Sequence, residues 1–317
     1  MGRTYTRRGT LGALAASMAA ACYGKGPTPS TTSTKAEPMT TSRDPAARMP
    51  TLYVPHGGGP WPWIDMDFGG GTSMAPLRRY LEGLGTGLPA PAKALLVVSA
   101  HWEAPVVTVQ SSPKPPMLYD YYGFPKASYE IQWPAPGAPE IAARVRELLG
   151  RANIEHGSDQ TRGFDHGAFV VTGVAYPQAD IPTFQVSLRT GLDPAEHIAI
   201  GRALAPLRDE GVLILASGMS YHNMAGFRAA ASGGRASVVD DARAFDDWLT
   251  EAMGHEASRR ERSLVEWAAA PRARACHPRE EHLLPLMVAA GAGEADAASI
   301  PFRGDVMGLA TCAVQFG

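Results

Sequence analysis

Five short apolar runs rich in β-branched residues stand between polar stretches of the chain: Thr51 to Val54, Ala94 to Ser99, Val106 to Gln110, Thr183 to Leu188 and Val212 to Ala216. Strands buried on both faces read this way, because each face must meet apolar neighbours. Other stretches space their apolar residues by threes and fours, the period of one helix face. Pro139 to Leu149 and Pro194 to Leu207 each open with proline and carry an acid soon after, as helix starts do. Asp240 to Met253 and Glu280 to Ala290 read as further helices. The alternation predicts an α/β fold, a single domain whose mixed, mostly parallel central sheet is flanked by helices on both faces.

The pattern changes at the N-terminus. Arg7 and Arg8 precede an apolar stretch, Leu11 to Ala21, that ends in Ala19-Ala20-Ala21-Cys22. The stretch falls well short of the ~20 residues that span a bilayer and suits the apolar core of a signal segment. The paired arginines resemble a twin-arginine export signal. The small residues before Cys22 resemble a lipoprotein cleavage box, with alanine at Ala19 in place of the more usual leucine. Residues 23 to 48 are rich in Pro, Ser and Thr without apolar periodicity, as a disordered linker is. The expected organisation is therefore an export signal over 1–22 with a lipid anchor at Cys22, a linker over 23–48 and a catalytic domain over 49–317, placed in the periplasm or on the cell envelope. The membrane enters only through that anchor.

Composition narrows the chemistry. With 45% hydrophobic and 19% charged residues the body can bury a core. A net charge of −2 and the lack of a basic run with interleaved aromatics argue against a nucleic-acid partner. Beyond Cys22 only Cys276 and Cys312 remain, too few for a disulfide framework or a four-cysteine zinc site. A metal would have to sit on histidines and carboxylates.

The histidines are the informative residues. His56 follows the first strand in Pro55-His56-Gly57-Gly58-Gly59-Pro60, His101 follows the second in Ser99-Ala100-His101-Trp102, and His222 follows another in Ser220-Tyr221-His222-Asn223. All three are expected just past the carboxyl end of a strand, the edge at which open α/β sheets bind ligands. Three converging imidazoles imply a borderline transition ion, iron or zinc, since magnesium and calcium prefer oxygen. Gly57, Gly58 and Gly59 would let the backbone turn sharply beside a ligand. Glu103 is the nearest conspicuous carboxylate, and it is not assigned as a ligand because the chain is expected to turn at Trp102.

Two further histidines have chemical settings. His166, in Gly163-Phe164-Asp165-His166-Gly167-Ala168, has an acid beside it and small neighbours that leave room for a substrate, which suits an acid-base group. A turn histidine capped by Asp165 is the plainer alternative. His282, in Glu280-Glu281-His282-Leu283-Leu284-Pro285, could be a fourth ligand, a second proton carrier or a structural residue at a helix start, with His277 the weaker of that pair. His156, His197 and His255 sit in polar surroundings and are given no role. Trp61, Trp63, Tyr121, Tyr122 and Trp133 lie in loops where they could wall an aromatic pocket.

Taken together, Pro-His-Gly-Gly-Gly-Pro at His56, Ser-Ala-His-Trp at His101, Asp-His-Gly at His166, the Ser220 to Asn223 stretch and Glu-His-Leu-Leu-Pro-Leu at His282 resemble the 4,5-DOPA extradiol dioxygenase family, one of the class III extradiol ring-cleaving dioxygenases. The likeness runs from about Thr51 to the C-terminus. It implies metal ligands at His56, His101, His222 and His282 and a catalytic histidine at His166. It also implies iron(II), with zinc as the alternative, and a catechol-type phenolic substrate whose ring is opened beside the diol by O2. Two other readings stay open from the residues alone. One is a zinc-dependent hydrolase, since open zinc sites activate water; the other is a metal-binding lipoprotein without catalysis.

Overall fold

The computed structural model describes residues 48–64, 74–231 and 235–317. The expected export signal with Cys22, and the linker as far as residue 47, lie outside the described residues. Along the chain the elements are β1 (Thr51–Pro55), α1 (Ala75–Glu82), β2 (Ala94–Ala104), β3 (Val107–Gln110), α2 (Pro139–Arg151), β4 (His156–Asp159), α3 (His166–Ala175), β5 (Thr183–Arg189) and α4 (Pro194–Leu204). They continue with α5 (Pro206–Asp209), β6 (Val212–Gly218), α6 (Met224–Ala231), α7 (Arg235–Met253), α8 (Ala257–Val265), α9 (Ala273–Cys276), α10 (Leu284–Gly293), β7 (Ala298–Val306) and β8 (Leu309–Phe316).

One eight-stranded sheet runs β4-β3-β5-β2-β6-β1-β8-β7. The pairs β1 with β6, β2 with β5, β2 with β6 and β3 with β4 are parallel, while β8 adds antiparallel to β1 and β7 to β8. The expected mixed, mostly parallel sheet is what forms. Its central strands alternate between two cores, which is why they read as unbroken apolar runs. Leu52, Val54, Leu95, Val97, Leu213 and Leu215 face one layer with Phe169 and Val170 of α3 and Leu77 of α1. Leu96, Val98 and Ile214 face the opposite layer, with Leu204 of α4 and Leu284 and Val288 of α10.

Several elements depart from the sequence expectation, each for a local reason. The helix expected over Pro194 to Leu207 breaks into α4 and α5 because Pro206 has no N–H to continue the ladder. The helix expected from Glu280 starts at Leu284, and the residues before it form a turn. Helix α3 has no signature in the sequence for another reason: it is buried nearly all round, so it has no polar face to give a helical period. β4 is a short polar edge strand, His-Gly-Ser-Asp, without the alternation that marks a strand. His156 opens this strand. The β7–β8 hairpin, turning at Met307 and Gly308, adds two strands to those the apolar runs predict.

Candidate active site

The order β2-β6-β1 makes the carboxyl ends of these three strands neighbours, and this brings His56, His101 and His222 together. His56 directly follows β1, and its backbone N donates to Gly218 O of β6 at 3.2 Å. His222 lies four residues beyond β6, tied down where its N donates to Cys276 O at 3.0 Å. His101 departs from expectation, because β2 does not end before it. The strand runs on to Ala104 through a register shift between Val98 and Glu103 that turns the imidazole to the site. The chain does not turn at Trp102, and Glu103 is held away from the imidazoles by Arg279, at 2.6 and 2.5 Å.

His282 comes from the turn before α10. Its carbonyl accepts from Met219 N at 3.0 Å and from Tyr53 Oη at 2.9 Å, which fixes it against the ends of β1 and β6. The Nε2 atom of His101 then stands 3.3 Å from that of His56 and 3.2 Å from that of His282. The His222 ring stacks on His282 with centroids 3.3 Å apart. His166 opens α3, with its ring centroid 3.9 Å from that of His101. The five histidines singled out in the sequence form one cluster.

Two carboxylates that the sequence reading gave no role bracket the cluster. Asp120 Oδ1 accepts from Nδ1 of His166 at 2.8 Å and from its backbone N at 2.9 Å, while Oδ2 faces Nδ1 of His101 at 3.5 Å. Glu281 Oε1 lies 2.9 Å from Nδ1 of His282 and 3.3 Å from Nδ1 of His222. An ionised carboxylate only accepts, so these four Nδ1 atoms carry the hydrogens and the Nε2 atoms carry lone pairs. Both acids stay ionised. Burial works to raise Asp120, yet the hydrogen bonds from the ring and backbone of His166 hold it below its ordinary value, and Glu281 is held down likewise against burial by its hydrogen bond to His222.

Burial, followed by the neighbouring imidazoles, pushes His56, His101 and His282 well below the ordinary histidine range. Neutral rings whose Nε2 lone pairs face one another at 3.2 Å repel unless a cation lies among them. This donor set fits a borderline transition ion. Among the described residues, ligand atoms within 4.8 Å of one another group as His56, His101 and His166, and as His222, Glu281 and His282. The expected set of His56, His101, His222 and His282 draws on both groups.

The cluster floors a cleft of about 710 Å³. Gly57 and Gly59 take positive φ on its wall, and a Cβ on Gly59 would meet the Phe124 ring at 2.8 Å. The room beside His166 is this cleft, which its ring lines, and not a space left by Gly167, where a Cβ would lie 2.6 Å from Ser99 Oγ and 2.9 Å from His101 Cδ2. Asp165 does cap there, accepting from Ala168 N at 3.1 Å, but as the N-cap of α3. Of the aromatics named from the sequence, Tyr121 and Tyr122 line the cleft, whereas the Trp133 indole is buried and donates to Tyr176 O. Trp61 and Trp63 are not among the described lining residues.

The remaining histidines and cysteines have structural settings. His277 is buried with Nε2 against Ser220 O at 3.0 Å, and burial pushes it down to about 3. His197 is fully buried, contrary to the polar setting expected of it, and bridges Asp193 O and Arg189 N. Cys276 and Cys312 are buried free thiols.

This fold and cluster have known counterparts. Residues 86–311 match the family described as the catalytic LigB subunit of aromatic ring-opening dioxygenase. The chain belongs to this LigB family. It is accordingly an oxidoreductase of the extradiol ring-cleaving type, and the hydrolase and carrier readings give way. Similar proteins include a Beta vulgaris 4,5-DOPA dioxygenase extradiol, 38% identical over 76% of this chain and 86% of that protein. An Escherichia coli K12 protein of the same name is 34% identical over 86% of this chain and 96% of its own. A crystal structure of an uncharacterized Escherichia coli K12 protein superposes with a TM-score of 0.68 at 33% identity, covering 85% of this chain and all of that one.

Proposed function

We propose that this LigB-family enzyme holds one iron(II) ion with His56, His101, His222 and His282 and uses it to open the ring of a catechol beside its diol with O2. The observation that carries this reading is the set of Nε2 atoms at 3.2 and 3.3 Å, each ring on a different segment, with Asp120 and Glu281 behind the Nδ1 atoms. When bound, the metal supplies contact and electron transfer between the diol and dioxygen.

The chain's own residues do the rest. Asp120 fixes the His166 tautomer, so Nε2 is the atom that accepts the hydroxyl proton of the substrate and returns it to the opened product. The walls of the cleft hold the ring over the histidines, which turns an encounter into a positioned reaction. The name 4,5-DOPA dioxygenase borne by relatives supports a catechol as the substrate class. From the leader alone we also propose export of the folded chain, with Cys22 as the lipid attachment.

The test is oxygen uptake by leaderless protein reconstituted anaerobically with iron(II) and given catechol, beside His166→Ala and zinc-loaded protein. Catechol-dependent uptake with a yellow ring-opened product, lost in both controls, is the expected result. Stoichiometric metal without uptake on any catechol would sink the reading.

A further inference from the structure

The cleft over the histidines is larger and drier than a bare diol needs. At about 710 Å³ it lies within the range that holds drug-sized ligands, roughly 300–1,000 Å³, and a single dihydroxylated ring fills a fraction of it. Its polar groups are concentrated at the floor. Above them stand Ile64, Tyr122, Phe124, Met224, Phe227 and Met307, drawn from four separate segments. Two of these are unusually open for their chemistry, Tyr122 at 91% and Met224 at 54% exposure. Apolar side chains left bare at the mouth of a cleft are where an apolar ligand completes its burial.

Charge points the same way. Among the described lining residues there is no Lys, Arg, Asp or Glu. Of the described acids at the histidine cluster, Asp120 is occupied by His166 and His101 and Glu281 by His282 and His222. The guanidinium of Arg279 is gripped by Glu103. A carboxylate or ammonium laid against this apolar wall would lose water without gaining a partner among the described lining residues, which costs more than it returns. Met224 and Met307 offer flexible, polarisable thioethers that adapt to a chain or a ring.

We infer that the physiological substrate is a catechol bearing an uncharged apolar substituent, an alkyl chain or a second ring, which lies across Tyr122, Met224, Phe227 and Met307. The inference rests on the catechol reading of the site and narrows it. It sets this enzyme apart from one built for a zwitterionic amino-acid catechol.

The experiment compares catechol, 4-butylcatechol, 4-phenylcatechol, 3,4-dihydroxybenzoate and DOPA on the iron(II)-loaded enzyme, by oxygen uptake and by anaerobic calorimetric titration. The butyl and phenyl compounds are expected to bind about tenfold or more tighter than catechol, the gain from removing a few CH2 groups from water, with kcat/KM following. The charged pair should fall below catechol. Met224→Ser and Tyr122→Ala, both on exposed side chains, should each shrink the phenyl-over-hydrogen preference severalfold. Preference for DOPA or 3,4-dihydroxybenzoate, or a preference unmoved in both variants, overturns this inference alone. Neither binding nor uptake with any of the five overturns the catechol reading, and the inference with it.

Discussion

One oxygen of Asp120 accepts both hydrogens that His166 offers it, the backbone N–H at 2.9 Å and the ring Nδ1–H at 2.8 Å. The start of α3 and the tautomer of its first residue are thereby set by a loop acid far away in sequence. Replacing Asp120 with Asn keeps the shape and removes the charge that accepts the ring Nδ1–H. The expected outcome is a ~10–100-fold loss in kcat for Asp120→Asn, the usual scale for the partner behind a working imidazole. Circular dichroism unchanged alongside that loss separates positioning from misfolding; kcat equal to wild type would refute the role.

Gly167 leaves no room for a methyl group, since its Cβ would fall 2.6 Å from Ser99 Oγ and 2.9 Å from His101 Cδ2. Gly167→Ala should therefore push the His101 ring out of place, at a cost of about 1–3 kcal/mol in stability. Urea midpoints and bound metal per chain should fall together. Wild-type metal content in this variant would mean that the His101 position does not matter to the ion.

Glu103 is the acid nearest His101 in sequence, yet its oxygens are spent on the half-exposed Arg279. Glu103→Ala is expected to leave metal stoichiometry unchanged and to move stability by less than ~1 kcal/mol, as for other surface pairs. Elemental analysis of the purified variant decides the point, and a missing metal would restore Glu103 as a ligand.

His197 gives a pH prediction remote from the cleft. Its Nδ1 donates to Asp193 O at 2.7 Å and its Nε2 accepts from Arg189 N at 3.1 Å, so the neutral ring alone satisfies both, and burial lowers its pKa. The stability it contributes is complete above the unfolded value near ~6.5 and drains away as the pH falls toward the lowered folded value. His197→Gln should be less stable than wild type at neutral pH, with the gap narrowing on acidification. Urea denaturation at several pH values measures it, and a constant gap would contradict the account.

For the leader, Arg7→Lys with Arg8→Lys should leave unprocessed precursor in the cytoplasm while the wild type is exported, as seen by fractionation of expressing cells. Equal distribution of the two would remove the export proposal.

The central strands with His56, His101 and His222 could be read from the sequence because buried runs and strand ends have a local signature, whereas His166 and His282 stood out by their neighbours and the family resemblance. His101 was placed correctly in space but for an inexact reason, since a register shift inside β2, and not the end of the strand, aims it. Asp120 and Glu281 were missed because nothing local separates a bridging acid from a solvated one; only Tyr-Asp-Tyr-Tyr around the former hints at burial. Met307 reaches the cleft through a hairpin whose outer strand, β7, is interrupted by Pro301 and buries only Phe302 and Val306, so no apolar run marks it in the sequence. The tryptophans could not be assigned from the sequence because large aromatics pack in cores as readily as they line clefts, and Trp61 and Trp133 are buried.

The cluster gathers its imidazoles from β1, β2, α3, the segment after β6 and the turn before α10, so it samples the chain from near its start to near its end. A ribosome that has made the first four of these segments has made no complete site. The last arrives only when the His282 carbonyl has found Tyr53 and Met219. Ion capture is thus a late event that certifies a finished sheet, and because it favours the native state alone, each bound ion deepens that state by mass action.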